Sequence, residues 1–274
     1  MTVATVLTFG RHALEHTSDS PSLDAELLLA HACRTDRTSL LIELHQGIDD
    51  DGRQRFQNLI AQRQHGTPIA YLTGRQEFFG RPFVVTPDVL IPRPATELLI
   101  ETVLSTNLPE HLSVVDVGTG SGMIALTLAA ERPAWRIQAT DTSAAALQVA
   151  HANAGQLGLS QVRWIHHALL DGVDRPVDLI VANLPYLRPD QVSSLAGHEP
   201  TQALAGGVDG LDVIRPCILA ASALMPLGLV LEIDPSQAPA VRALMAECLP
   251  TYRTTTNNDG RAVRVMAAWK NINR

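Results

Sequence analysis

Apolar positions recur with helical spacing through the first quarter of the chain, and in short β-branched runs through the rest. Over residues 3–64 no strand-like run interrupts the mixed polar and apolar pattern, which predicts a small helical domain. Ser20-Pro21 supplies a capping residue and a first-turn proline, after which Leu23, Leu27, Leu28 and His31 share one face. Gly47 and the cluster Asp49-Asp50-Asp51-Gly52 predict a solvated turn before another helix carrying Phe56, Leu59 and Ile60. Over residues 67–94 the texture changes to aromatic and β-branched residues cut by Gly and Pro, as in Phe78-Phe79-Gly80, and predicts a short hairpin linker. A helix then opens at Thr96. Strands at 114–117, 136–140, 178–182 and 229–233 alternate with helices at 123–131 and 143–156. Such alternation predicts an α/β domain over 95–274 with a mainly parallel sheet, preceded by a helical domain over 1–66.

Composition narrows the function classes. With 46% hydrophobic and 18% charged residues among 274, the chain has material for a substantial core. Its net charge of −7 disfavours a nonspecific nucleic-acid coat, which depends on many phosphate-neutralising cations. Lys270 is the single lysine, so any cationic contact to a partner must come from arginine. Cys33, Cys217 and Cys248 are odd in number and widely spaced, giving neither a disulfide framework nor a zinc site. No export signal is visible over residues 1–15, and the longest apolar stretch, 217–233, is broken by Pro226 and Gly228. A cytoplasmic protein without a membrane span or metal centre is expected.

The chemistry begins at Val114-Val115-Asp116-Val117-Gly118-Thr119-Gly120-Ser121-Gly122, a buried strand running into three alternating glycines and a helix. Glycines are needed where the chain turns sharply and a ligand approaches the backbone. The spacing differs from the dinucleotide fingerprint and is similar to the first motif of S-adenosylmethionine-dependent methyltransferases. Asp141 ends the next strand, where a carboxylate can accept both ribose hydroxyls; its other reading is a helix cap before Ser143. Asn183-Leu184-Pro185-Tyr186 follows the strand at 178–182, at the sheet end where open α/β folds place ligands. It resembles the tetrapeptide of methyltransferases that modify planar nitrogen. An amide nitrogen has a delocalised lone pair, so transfer is helped by acceptors that hold its N–H bonds and aim the lone pair at the methyl group. The Asn183 side-chain oxygen and the Leu184 carbonyl are the candidate acceptors, Pro185 restrains Leu184 to an extended conformation, and Tyr186 is a candidate flat wall.

Nearly the whole chain resembles the HemK/PrmC-type release-factor glutamine N5-methyltransferases. The resemblance is carried by Leu23-Asp24-Ala25-Glu26-Leu27-Leu28-Leu29, by the stretches 66–74 and 77–80, and by Val89-Leu90-Ile91-Pro92-Arg93-Pro94-Ala95-Thr96-Glu97 and the glycine loop. It continues through Glu199-Pro200, Ala203-Leu204-Ala205-Gly206-Gly207, Asp209-Gly210-Leu211, Leu231-Glu232-Ile233 and Gln237. It implies a helical bundle that recognises a protein partner, a hairpin linker and a Rossmann-like class I methyltransferase domain. By the same resemblance Asp116, Gly118, Thr119, Gly120, Gly122, Asp141, Ala168 and Asn183 would hold S-adenosylmethionine. Asn183, Leu184, Pro185 and Tyr186 would carry catalysis, and Arg93, Glu97 and Glu199 would line the substrate entrance. Arg93 and Glu97, one helical turn apart, have a second reading as an ion pair.

Three positions depart from the family pattern. Leu184 replaces the first proline of the usual N-P-P-Y, Ala95 stands where an acidic residue is common, and His167-Ala168 occupies the place of a Gly-Asp whose carboxylate faces the adenine. His151, His166, His167 and His198 match no zinc or triad pattern and read as surface or core residues. The expected function is methylation of the glutamine in the Gly-Gly-Gln loop of a peptide chain release factor. Three rivals stand beside it: a paralogue acting on a small-molecule nitrogen such as the guanidino group of free arginine, RNA adenine methylation, and a non-catalytic binding module.

Overall fold

Apolar stripes close into cores twice. The computed structural model describes residues 1–195 and 198–270, and the chain divides into two units, Met1–Arg75 and Gln76–Arg274. The last four positions of the expected 95–274 domain lie outside the described residues.

The first unit contains α1 (Val3–Leu14), α2 (Pro21–Ala32), α3 (Arg37–Ile42), α4 (Asp50–Gln64) and α5 (Ile69–Thr73). Gly10 lets α1 close on its neighbours: a Cβ there would sit 2.5 Å from the Phe56 ring. α2 begins at Pro21 as expected but buries a different face. Asp24, Ala25, Leu28, Leu29 and Ala32 point inward, while Leu23 is 42% exposed and His31 lies at the surface. Three consecutive leucines fit two adjacent stripes, and the small alanines decide which one can approach α1 and α4 closely. The acidic cluster is solvated as expected, but it opens the helix rather than forming a turn before it. Asp49 caps α4 by accepting from the Gly52 N–H at 2.6 Å, and Asp50 and Asp51 form the helix's first turn, paired with Arg53 and Arg55. Carboxylates there complement the positive end of the helix. Buried Asp24 accepts from Arg63 Nε at 2.8 Å and so joins α2 to α4.

The second unit begins one residue into a hairpin of β1 (Arg75–Phe78) and β2 (Arg81–Val84), whose Phe79-Gly80 turn has positive φ at both positions, 50° and 70°. That geometry matches the twist of a two-residue hairpin. Phe78 and Phe83 pack edge to face at 6.1 Å. After α6 (Pro94–Leu104) come β3 (Ser113–Val117), α7 (Met123–Glu131), β4 (Arg136–Asp141), α8 (Ala144–Leu157), β5 (Arg163–His166) and β6 (Leu179–Ala182). The chain continues through α9 (Pro189–Leu195), α10 (Thr201–Leu204), α11 (Ile214–Leu224), β7 (Gly228–Glu232), α12 (Ala238–Cys248), β8 (Tyr252–Asn258) and β9 (Val263–Lys270).

The sheet order is β5-β4-β3-β6-β7-β9-β8, parallel from β5 to β7 and antiparallel through β9 and β8. Alternate residues of the central strands feed two cores. Val114, Leu179 and Val181 pack with α6 and α7 on one face, and Val115, Ile180 and Leu229 pack with α11 and α12 on the other. The result is a three-layer α/β sandwich, and the strand order reverses between β3 and β6, so their carboxyl ends part to leave a crevice. Among the described residues no helix is long and apolar enough to cross a membrane.

Candidate active site

A cavity of about 350 Å³ occupies that crevice. Its floor is the glycine loop after β3. The Gly118 and Thr119 N–H groups both donate to the Thr140 carbonyl at 2.9 Å, which ties the loop to β4. The three glycines, all at positive φ, do different work. Gly118 makes room for Leu184, whose Cδ2 would lie 3.1 Å from an added Cβ; Gly122 makes room for Leu126, Ala150 and Trp164. Only Gly120 faces open space, at φ 57° with nothing within 4 Å of a Cβ. It is the place where a ligand can lie directly against the backbone.

Asp141 closes the side of the cavity at the end of β4. Its Oδ2 accepts from the Gly120 N–H at 2.9 Å and its Oδ1 from the Ser143 N–H at 2.8 Å. The helix cap itself is Ser143, which accepts from the Ala146 N–H. Each Asp141 oxygen keeps a lone pair, so the carboxylate is aligned by the backbone and can still accept ligand hydroxyls. His167, Ala168 and Leu169 line the cavity beyond β5, and Asp88, Leu90, Gln202, Ala203, Asp212 and Val213 complete it.

Asn183, Leu184 and Pro185 line the opposite side. Asn183 Nδ2 donates to Thr96 Oγ1 at 3.1 Å, so its Oδ1 is the end of the amide left to accept. Leu184 is buried, filling the space above Gly118. Gln237 Nε2 donates to the Tyr186 carbonyl at 2.8 Å and to the Gly210 carbonyl at 3.1 Å, which pins the end of the tetrapeptide.

Six expected site residues lie outside the cavity lining. Asp116 sits wholly buried behind the loop, with Oδ2 accepting from Thr119 Oγ1 at 2.6 Å and the Ala125 N–H at 3.1 Å, while Oδ1 has no partner. Burial pushes its carboxyl up to about 7, with nearby Asp141 adding to the shift. Gly122 is a packing glycine. Tyr186 is not a wall of the cavity: its hydroxyl turns away and donates to Glu232 Oε1 at 3.2 Å, and burial beside that carboxyl raises its pKa. Arg93 does not pair with Glu97. It pairs with Glu199, whose other oxygen accepts from the Ile91 N–H at 3.1 Å, while Glu97 accepts from the Phe79 N–H at 2.7 Å and holds the hairpin turn. Tertiary partners that are remote in sequence outbid the helical neighbour. Of the histidines, His167 lines the cavity with Ala168, at the place where the family resemblance puts a Gly-Asp, although as a histidine it matched no zinc or triad pattern.

Comparison with known proteins covers both units. A family model described as the PrmC N-terminal domain matches residues 5–74, and one described as a methyltransferase small domain matches residues 93–203. A release factor glutamine methyltransferase of Coxiella burnetii is 41% identical over 239 residues, spanning 85% of this chain and 86% of that protein. One from Koribacter versatilis is 43% identical over 212 residues, spanning 75% of each. A solved methyltransferase structure from Pyrococcus furiosus shares the fold, with a TM-score of 0.52 at 17% identity over 79% of this chain and 98% of that one. The glycine cradle at Gly120 and the aligned Asp141 carboxylate fit the S-adenosylmethionine that this class of enzyme uses. Identity at this level, sustained from the helical unit through the catalytic one, means that the chain belongs to the release factor glutamine methyltransferase family.

Proposed function

We propose that this protein methylates the side-chain amide nitrogen of the glutamine in the Gly-Gly-Gln loop of a peptide chain release factor, in the cytoplasm, with the helical unit taking the protein partner. The observation that carries the reading is the Asn183 amide, fixed by Thr96 so that its oxygen is free at a cavity beside the glycine loop. S-adenosylmethionine supplies, when bound, a methyl group on a positively charged sulfur. Gly120 would receive it against bare backbone with Gly118 and Thr119 beside it, Asp141 would accept its ribose hydroxyls, and His167-Ala168 would border its base. Asn183 Oδ1 and the Leu184 carbonyl accept the two N–H bonds of the glutamine amide, which turns the nitrogen lone pair toward the methyl group. Positioning of this kind supplies most of the rate, since the reacting atoms need only be held in line. As the new N–C bond forms, the bond from the methyl carbon to the sulfonium sulfur would break, leaving S-adenosylhomocysteine as the neutral thioether, and the amide nitrogen would lose one proton to water. Cys33, Cys217 and Cys248 remain free thiols, which suits a reducing compartment.

The test is transfer of labelled methyl from S-adenosylmethionine to a release factor purified in unmethylated form, with free arginine and RNA as parallel acceptors. Label is expected on the release factor and absent when its Gly-Gly-Gln glutamine is replaced by alanine. Asn183→Ala is expected to lower kcat about 100-fold, the usual effect of removing one oriented polar group at a reacting centre. Label on arginine or RNA alone overturns the reading.

A further inference from the structure

The short segment from Glu199 to Leu204 reaches from one rim of the cavity to another. The first rim is Asp88, Val89 and Leu90 of the linker, and the second is Asp141, Thr142 and Ser143 at the end of β4. Pro200, Gln202 and Ala203 also line the cavity, and the bonds around them run to both rims. Glu199, with a side chain 9% exposed, accepts from the Ile91 N–H at 3.1 Å and pairs with Arg93. Gln202 Nε2 donates to Thr142 Oγ1 at 2.7 Å. Beyond it, the carbonyl of buried Leu204 accepts from the Leu187 N–H at 2.9 Å, and the Gly206 N–H donates to the Leu187 carbonyl at 2.8 Å. Gly206 lies so close to the tetrapeptide that an added Cβ would sit 2.8 Å from the Pro185 carbonyl oxygen.

These attachments are unequal. One end rests on a carboxylate with both oxygens engaged, and the other on paired backbone groups beside a buried leucine. The middle is tied to the second rim through a bond between two exposed side chains. Such a bond competes with water and contributes little. The segment it holds contains only α10, four residues long, which is too short to be a stable helix by itself. The middle can therefore open while the ends stay in place. Thr142 follows Asp141 directly, so the bond lies beside the carboxylate assigned to the ribose.

We infer that residues 199–204 are a strap across the cofactor cavity, hinged at its two ends and clasped in the middle by Gln202 on Thr142, and that opening of the clasp sets how fast S-adenosylmethionine enters and S-adenosylhomocysteine leaves. The inference rests on the assignment of this cavity to the cofactor. Since the clasp bonds protein to protein, it is the same with the cavity filled or empty, and loosening it speeds entry and exit alike. A residue that holds the ligand itself behaves differently, because its loss speeds exit alone.

Binding and release of S-adenosylhomocysteine by the full chain are followed by stopped-flow tryptophan fluorescence; the Trp164 ring lies against Gly122 of the glycine loop. Gln202→Ala removes the donor of the clasp, and Thr142→Val removes the acceptor while keeping the shape. Both positions are exposed, so each variant is expected to fold. In each, kon and koff are expected to rise together about fivefold, the equivalent of one exposed hydrogen bond, with Kd within about twofold of wild type. The double variant is expected to exchange no faster than either single one, because the same bond is lost only once. Asp141→Ala is the control for the site and is expected to weaken binding about tenfold or more, as loss of a charged acceptor does. Wild-type rates in Gln202→Ala, a rise in koff with kon unchanged, or rates that multiply in the double variant each overturn the strap while leaving the cofactor site in place. Wild-type affinity in Asp141→Ala would instead put the cofactor elsewhere, and the strap would fall with the site.

Discussion

Asp116 illustrates how much a single residue can be asked to do out of sight. Its carboxyl receives Thr119 and Ala125 on one oxygen and nothing on the other, and burial lifts its pKa from near 3.8 to about 7. A carboxyl whose folded pKa is raised contributes stability that is complete below the unfolded value and is lost as pH rises through the folded one. The window is therefore pH 4 to 7, and a shift of this size corresponds to about 4 kcal/mol across it. Asp116→Asn cannot titrate, so its melting temperature is expected to fall less between pH 4 and pH 7 than that of wild type, as measured by calorimetry in matched buffers; parallel curves for the two proteins would contradict the assignment. The sequence marks Asp116 and the glycines as a group but cannot separate their tasks. Only Gly120 presents bare backbone to the cavity, while Gly118 and Gly122 yield space to Leu184 and to Trp164, partners brought close only by the fold.

Among the elements, the best read in advance were the apolar ones. β6 and β7 announce themselves because a parallel strand covered on both faces needs a run of apolar residues, β3 does so with Asp116 as its one interruption, and β4 is read from Ile137 and Ala139 alternating with Gln138 and Thr140. β5 and β8 do not, because they form the two sheet edges and are largely polar: Arg163 and His166 are exposed, and β8 carries Thr254-Thr255-Thr256-Asn257. α8 hides a different kind of information. Its Asn153 is fully buried, accepts from the Val84 N–H at 2.6 Å, and donates to the Val84 carbonyl at 3.0 Å and the Ser121 carbonyl at 2.9 Å. One amide thus binds the hairpin and the glycine loop to the same helix. Asn153→Ala strands three backbone groups, and a loss of about 2–4 kcal/mol in denaturant unfolding is expected, with weaker S-adenosylmethionine binding because the loop loses its tether. Unchanged affinity in the folded variant would confine Asn153 to a structural role.

At the scale of the whole molecule, the two units keep separate cores. One is built from residues between Val3 and Ile60, and the others from residues between Phe78 and Ala268. A chain beginning at Gln76 retains all of the second set and every residue that lines the cavity. It is expected to fold, to bind S-adenosylmethionine within about threefold of the full chain, and to lose at least about tenfold in kcat/KM toward a release factor, the share of recognition assigned to the helical unit. Equal kcat/KM for the two chains would remove that unit from substrate recognition.

The contact between Leu184 and Gly118 has a one-sided consequence for how such a site can change by descent. Gly118 stands at φ 71°, where any side chain is strained, so its own backbone holds it as glycine in addition to the room it leaves for Leu184. A smaller residue at 184 would open space above the loop without relieving that strain. Position 184 should therefore vary by itself across lineages, while position 118 stays glycine.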